Sequence, residues 1–246
     1  MKKLGLIGFP LSHSFSPGYF KKKFETLGIE GWQYGLYPLD KIDAFCALME
    51  DEKPFGINVT IPYKEQVIPF LDELDKEAAE IGAVNTIKIS NQKTKGFNTD
   101  IYGFEKSIEP LLKNHHKNAL ILGSGGASKA VEYALKKMGI APSFVSRTAG
   151  KGQFTYEDLN AEILENQTII VNTTPLGMSP NIDACSAIPY NAITPHHLLY
   201  DLVYNPTETL FLKKGKQQGA AIKNGYEMLC LQADKSWEIW TEDGLI

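Results

Sequence analysis

The sequence predicts an α/β protein in which parallel sheets are covered by helices. Three observations predict it. Short apolar runs alternate with amphipathic stretches along nearly the whole chain. The chain has 246 residues, 43% of them hydrophobic and 22% charged, which excludes bulk disorder and suffices for a buried core. A glycine turn, Gly123-Ser124-Gly125-Gly126, stands between an apolar run and a helical pattern.

The elements follow in order. Apolar or β-branched runs predict strands at 4–8, 32–37, 56–61, 86–89, 118–122, 142–146, 168–172, 198–203 and 221–223. Apolar residues at helical spacing predict helices at 19–27, 42–50, 64–74, 103–112 and 128–138. A last helix is expected over 225–243, where Tyr226, Leu229, Ala233 and Trp237 share a face. Residues 90–97 read as a polar stretch before Asn98-Thr99-Asp100 opens a helix, and a fresh strand–glycine–helix unit begins near Asn118. The domain change is therefore placed close to Asp100, and the last helix can pack on either domain.

Lys plus Arg number 25 against 29 Asp plus Glu, a formal charge of −4 with no basic run. That balance argues against nucleic acid or an anionic membrane as partner. No apolar run approaches the roughly 18 residues of a membrane span. Residues 4–9 are apolar, but Pro10, Ser12 and His13 end the run too early for a signal peptide. A first buried strand in a cytoplasmic protein is expected instead. Cys46, Cys185 and Cys230 are odd in number and far apart, which suits isolated thiols in a reducing compartment. The doublets His115-His116 and His196-His197 lack carboxylates at ligand spacing and predict no metal site. His13 is assigned to loop packing, and Trp237 and Trp240 to the core.

The turn Gly123-Ser124-Gly125-Gly126-Ala127 has the context that a pyrophosphate needs. Glycine lets the backbone approach, and the following helix offers N–H groups and a positive dipole. The third small slot holds Ser128 rather than glycine. An NAD site would place a carboxylate about 20 residues on, at the end of the next strand. Here that strand ends in Ser146-Arg147-Thr148. A guanidinium and a hydroxyl there suit a 2′-phosphate, so the cofactor predicted is NADP. Lys151 adds charge nearby.

Other short polar groups cluster beside strand and helix ends. Ser16-Pro17 reads as a helix start with Ser16 at the N-cap. Ser14 and Ser16 either cap that helix or turn their hydroxyls toward one anion. In Asn58-Val59-Thr60-Ile61-Pro62-Tyr63-Lys64 a strand breaks at Pro62 and Lys64 opens the next helix, where dipole logic would favour an acid. Gly82-Ala83-Val84-Asn85-Thr86 and Asn98-Thr99-Asp100 supply further groups, each structural when taken singly.

Taken jointly and in order, these motifs resemble the shikimate dehydrogenase family over essentially the whole chain. So do Gly8-Phe9-Pro10, Asn172-Thr173-Thr174-Pro175-Leu176-Gly177-Met178, Asp201-Leu202-Val203-Tyr204-Asn205-Pro206 and the late Gly225 to Gln232. The resemblance implies an N-terminal α/β substrate domain (1–100 and 226–246), a Rossmann NADP domain (101–225) and an active-site cleft between them. It implies a carboxylate held by Ser14, Ser16 and Tyr204, and ring hydroxyls held by Thr60, Asn85, Asp100 and Gln232. Lys64 and Asp100 would be the catalytic pair. Gly123, Ser124, Gly125, Gly126 and Ala127 would wrap the pyrophosphate. Ser146, Arg147 and Thr148 would take the adenosine phosphate, with Thr173, Met178 and Gly225 along the rest of the cofactor. The family contains monomers and homodimers. Two departures touch the fine cofactor geometry: Ile101-Tyr102 stands where small residues are common, and Thr174-Pro175 replaces a more usual Thr-Ser.

The implied reaction is the reversible NADPH-dependent reduction of 3-dehydroshikimate to shikimate, in chorismate and aromatic amino acid biosynthesis. Two other functions compete. A quinate or quinate/shikimate dehydrogenase tends to change the second serine and to carry an acid in the adenosine pocket, against which Ser16 and Arg147 argue. A non-catalytic relative would keep the carboxylate site and lose the proton-transfer pair, against which Lys64 and Asp100 argue.

Overall fold

The computed structural model describes residues 1–12, 14–148, 150 and 153–242. The chain divides into two compact units, Met1–Thr99 with the chain end from Gln232, and Asp100–Leu231.

The first unit carries β1 (Lys2–Gly8), α1 (Ser16–Leu27), β2 (Trp32–Pro38), α2 (Phe45–Glu52), β3 (Gly56–Val59), β4 (Glu73–Leu74), α3 (Lys76–Ile81), β5 (Thr86–Ser90) and β6 (Lys93–Phe97). Its sheet order is β2-β1-β3-β5-β6-β4. The strands β2, β1 and β3 are parallel, as crossover helices require. The sheet then departs from the all-parallel expectation, because β3 to β5 and β5 to β6 are antiparallel. The cause lies in the stretch read as polar connection. Asn91 and Gln92 take left-handed φ of 51° and 64°, making a tight hairpin turn of the kind such residues favour. Lys93–Phe97 then folds back as a strand.

The predicted helix at 64–74 is absent. Pro69 would lack the N–H that an interior helical turn needs, and its ring would meet the carbonyl of Glu65. The segment instead makes turns, a short 3₁₀ turn at Ile68–Phe70 and then β4. Helix α1 buries Phe20 and Phe24, one turn apart, and ends at Gly28 in a left-handed conformation.

The second unit carries α4 (Asp100–Ile108), β7 (Asn118–Leu122), α5 (Gly126–Lys137), β8 (Ala141–Ser146), β9 (Phe154–Thr155), α6 (Ala161–Asn166), β10 (Ile169–Asn172), β11 (Leu198–Asp201), α7 (Leu210–Gln217) and β12 (Ala221–Asn224). All its strands pair in parallel, in the order β12-β11-β10-β7-β8-β9. Numbered from β7, this is the Rossmann order, whose chain direction switches between β7 and β10. The central strands β10 and β11 are buried along their length, as parallel strands covered on both faces must be. Helix α5 turns Ala130, Val131, Ala134 and Leu135 inward. Helices α6 and α7, not among those predicted, start on the side-chain caps Asn160 and Thr209.

The last helix, α8 (Tyr226–Thr241), begins in the second unit and completes the first from Gln232 onward. Trp240 is fully buried and donates Nε1 to the Ile87 carbonyl at 2.9 Å. Its indole lies over Gly56, where an added Cβ would stand 2.3 Å from Nε1. Among the described residues no helix is long and apolar enough to cross a membrane.

Candidate active site

In the first unit the polar residues of the motifs converge on one buried network. Asn85, 3% exposed, follows the Gly82-Ala83-Val84 turn and precedes β5. Its Oδ1 accepts the Thr99 N–H at 2.7 Å, while its Nδ2 donates to Thr99 Oγ1 at 3.0 Å and Gln232 Oε1 at 3.4 Å. Asn58, on β3, gives Nδ2 to the Asn85 carbonyl, Thr86 Oγ1 and Ser236 Oγ, all within 3.2 Å, and takes the Tyr34 hydroxyl on Oδ1 at 2.8 Å. Thr86 and Ser236 are themselves 2.7 Å apart. A buried polar group left unmatched costs about 1–3 kcal/mol, so these side chains fix one another. Sequence reasoning picked out Asn85 and Gln232 but assigned no part to Tyr34, Thr86 or Ser236.

Ser16 is not the N-cap. Phe15 already has helical φ and ψ, −68° and −42°, and makes no side-chain cap bond. Ser16 is therefore the first helical residue, and its hydroxyl acts on the Tyr34 phenol, which burial pushes far up in pKa. Ser14 Oγ donates to the Leu11 carbonyl at 2.9 Å. His13 lies outside the described residues. Thr60, half-buried, directly follows β3 with its N–H on the Ile7 carbonyl at 2.9 Å. Lys64 opens no helix. It sits half-buried in a turn that the Val84 N–H, 2.7 Å from the Lys64 carbonyl, ties to the turn before Asn85.

Asp100 begins α4 as expected and is 8% exposed. It follows directly on Thr99, whose backbone is held by Asn85. Tyr204 is half-buried, and burial raises its phenol.

The second unit gathers its motif residues at the strand ends beside the β7/β10 switch. Gly123 has φ +105°, and a Cβ there would press on Thr174 and Thr173 at 2.9 and 3.0 Å. A Cβ on Gly125 or Gly126 would meet nothing within 4 Å, so the turn is open on its outer side. Helix α5 starts at Gly126 without a side-chain cap, leaving its first N–H groups for a ligand. Ser128 fills the third slot as a buried residue, donating Oγ to the Gly125 carbonyl at 2.6 Å. Thr173 donates Oγ1 to the Leu122 carbonyl at 2.8 Å and so joins β10 to the turn.

Ser124, Gly125, Ser146, Arg147, Tyr156 and Thr173 are among the residues lining one cavity of about 440 Å³. Ser146 Oγ donates to the Thr148 carbonyl at 2.6 Å, which shapes the bend that leaves Arg147 exposed. Lys151 lies outside the described residues. Met178 is not in this cavity. It is 48% exposed and lines a neighbouring one of about 660 Å³ that shares Pro175 and Leu176 with the first. Gly225 admits no side chain, since a Cβ would fall 2.1 Å from the Leu202 carbonyl oxygen.

Below the site, Asp201 is fully buried and accepts from Asn172 Nδ2, Thr209 Oγ1 and the Val203 N–H at 2.8, 2.5 and 3.0 Å. Burial outweighs these donors and raises its carboxyl to about 6. The histidine doublets do meet, with the His115 ring 4.4 Å from His116 and 5.3 Å from His196. Among the described residues no group of three or more His, Cys, Asp or Glu side chains can hold a metal.

A six-stranded parallel sheet with an open glycine turn and a cationic strand end, joined to a unit rich in buried hydrogen-bonding side chains, defines a two-domain nicotinamide-nucleotide oxidoreductase. The family model for the shikimate dehydrogenase substrate binding domain matches residues 6–87. A shikimate dehydrogenase (NADP(+)) of Halothermothrix orenii is 40% identical, aligned over 97% of this chain and 90% of its own length. One from Methanococcus maripaludis is 38% identical over 98% and 91%. A crystal structure of a shikimate dehydrogenase in complex with NADP+ superposes with a TM-score of 0.88 at 34% identity, covering 98% of this chain and 90% of that one. A quinate dehydrogenase of Corynebacterium glutamicum in complex with NAD reaches 0.87 at 27%, covering 98% and 94%. The chain belongs to the shikimate dehydrogenase family.

Proposed function

We propose that this protein catalyses the reversible NADPH-dependent reduction of 3-dehydroshikimate to shikimate, a step of chorismate and hence aromatic amino acid biosynthesis. The observation that carries the reading is Arg147 at the end of β8, beside an open glycine turn, in a chain 40% identical to an NADP-dependent shikimate dehydrogenase. The residues present fit NADP. Gly123, Ser124, Gly125, Gly126 and Ala127 offer backbone to the pyrophosphate, Ser146, Arg147 and Thr148 take the adenosine phosphate, and Thr173, Met178 and Gly225 line the path toward the nicotinamide.

Bound NADPH supplies the hydride for the ring carbon. The chain supplies everything else. The Lys64 ammonium stabilises the developing alkoxide and delivers its proton. Asp100 orients Lys64 and accepts from the adjacent hydroxyl. Ser14, Ser16 and Tyr204 hold the carboxylate, and Thr60, Asn85 and Gln232 hold ring hydroxyls. These polar groups select against analogues lacking a hydroxyl, which would leave them unmatched. The same reading places the protein in the cytoplasm as a monomer or homodimer. It acts on a small molecule and uses neither nucleic acid nor membrane.

The test is absorbance at 340 nm with shikimate and NADP. A steady rise that Lys64→Ala abolishes is expected. No rise with the wild-type chain would leave only a nucleotide-binding relative.

A further inference from the structure

We propose that Tyr156 is a specificity-determining residue of the cofactor site, its phenol hydroxyl donating a hydrogen bond to the 2′-phosphate that distinguishes NADP from NAD. The proposal rests on the reading of Arg147 given above. Tyr156 belongs to no motif, and the sheet register is what brings it in. Strands β8 and β9 pair in parallel with Val145 opposite Phe154 and Ser146 opposite Thr155. Arg147 and Tyr156 directly follow the last of these pairs. Paired strands lie about 4.8 Å apart, and the Arg147 charge acts on the Tyr156 phenol. Both line the cavity of about 440 Å³.

The neighbours of the phenol decide where its proton points. The ring packs against the core of the second unit, which fixes its position. Burial raises the phenol pKa and keeps it a neutral donor, while the charge of Arg147 pulls the other way. Ser186 is 1% exposed, and its Oγ has no hydrogen-bond partner among the described residues. A guanidinium only donates, so Arg147 cannot take the phenol's proton. A phosphate gripped by Arg147 offers acceptor oxygens to it, and a hydrogen bond to a charged acceptor is the stronger kind.

Binding of 2′,5′-ADP and 5′-AMP, which differ only in the 2′-phosphate, isolates this contact in isothermal titration calorimetry. Tyr156→Phe keeps the packed ring and removes the hydroxyl. It is expected to weaken 2′,5′-ADP about tenfold, the low end for a hydrogen bond to a charged group, and to leave 5′-AMP within about twofold. Retained 5′-AMP affinity also reports an intact fold. Unchanged 2′,5′-ADP binding, or an equal loss for both ligands, overturns the proposal. Arg147→Ala is measured alongside. Should that variant keep the wild-type preference for 2′,5′-ADP, the reading of the pocket itself fails, whatever Tyr156→Phe does.

Discussion

On the proposed function, the two units solve recognition in opposite ways. The first surrounds its substrate motifs with side chains that satisfy one another: Asn58, Asn85, Thr86, Thr99, Gln232 and Ser236 form one network drawn from two strands, two connecting segments and α8. The second presents bare backbone at Gly123–Gly126 and, among the described residues of its cavity, the exposed Arg147. A polyol has many hydroxyls to match, and only oriented side chains can match them. A pyrophosphate carries charge, which unpaired N–H groups and a helix dipole meet without side chains. The first unit should therefore respond to substitution in folding and selectivity together. The second should respond in cofactor choice alone.

The sharpest way to break that contrast is Lys64→Ala. Turnover should fall by about 10²–10⁴-fold with little change in the KM for shikimate. A near-normal kcat would remove Lys64 from the chemistry. Next comes Arg147→Ala, which should raise the KM for NADP by about 10–100-fold while leaving NAD unchanged, because one charge-assisted contact contributes about 1.5–3 kcal/mol. Equal losses for both cofactors would turn Arg147 into a structural residue. Asn58→Leu should lower unfolding stability in urea by about 1–3 kcal/mol, since Thr86, Ser236 and Tyr34 lose a shared partner. A neutral result would mean that the network is slack.

The smallest effect concerns pH. Asp201 has its folded pKa raised to about 6. A raised pKa means that the protonated form is favoured in the fold. Its contribution to stability is therefore complete below the ordinary carboxylate pKa and is lost as pH climbs through about 6. Carbon-13 NMR of the Asp201 carboxyl should show a midpoint near 6. A midpoint below 4 would mean that its three donors outweigh burial.

What the sequence made legible follows the same division. The second unit could be read almost strand by strand, because parallel buried strands are continuous apolar runs and Gly123–Gly126 marks the turn between β7 and α5. The first unit was legible in its motifs and less so in its architecture. Residues 90–97 look like a polar connection because a hairpin with an exposed face carries Lys93 and Lys95 as readily as a loop does. Apolar spacing at 64–74 imitates a helix that Pro69 forbids. Tyr34, Ser236 and Tyr156 stayed hidden because their roles come from pairing across the chain, by register or by packing, which no local pattern records.

The central claim is that this chain matches a hydroxylated ring acid to NADP. Steady-state kcat/KM for shikimate and quinate, each with NADP and with NAD, tests it most directly. Shikimate with NADP should exceed each of the other three combinations by at least about tenfold. Quinate with NAD as the best pair, or no dependence on the cofactor's 2′-phosphate, would contradict it.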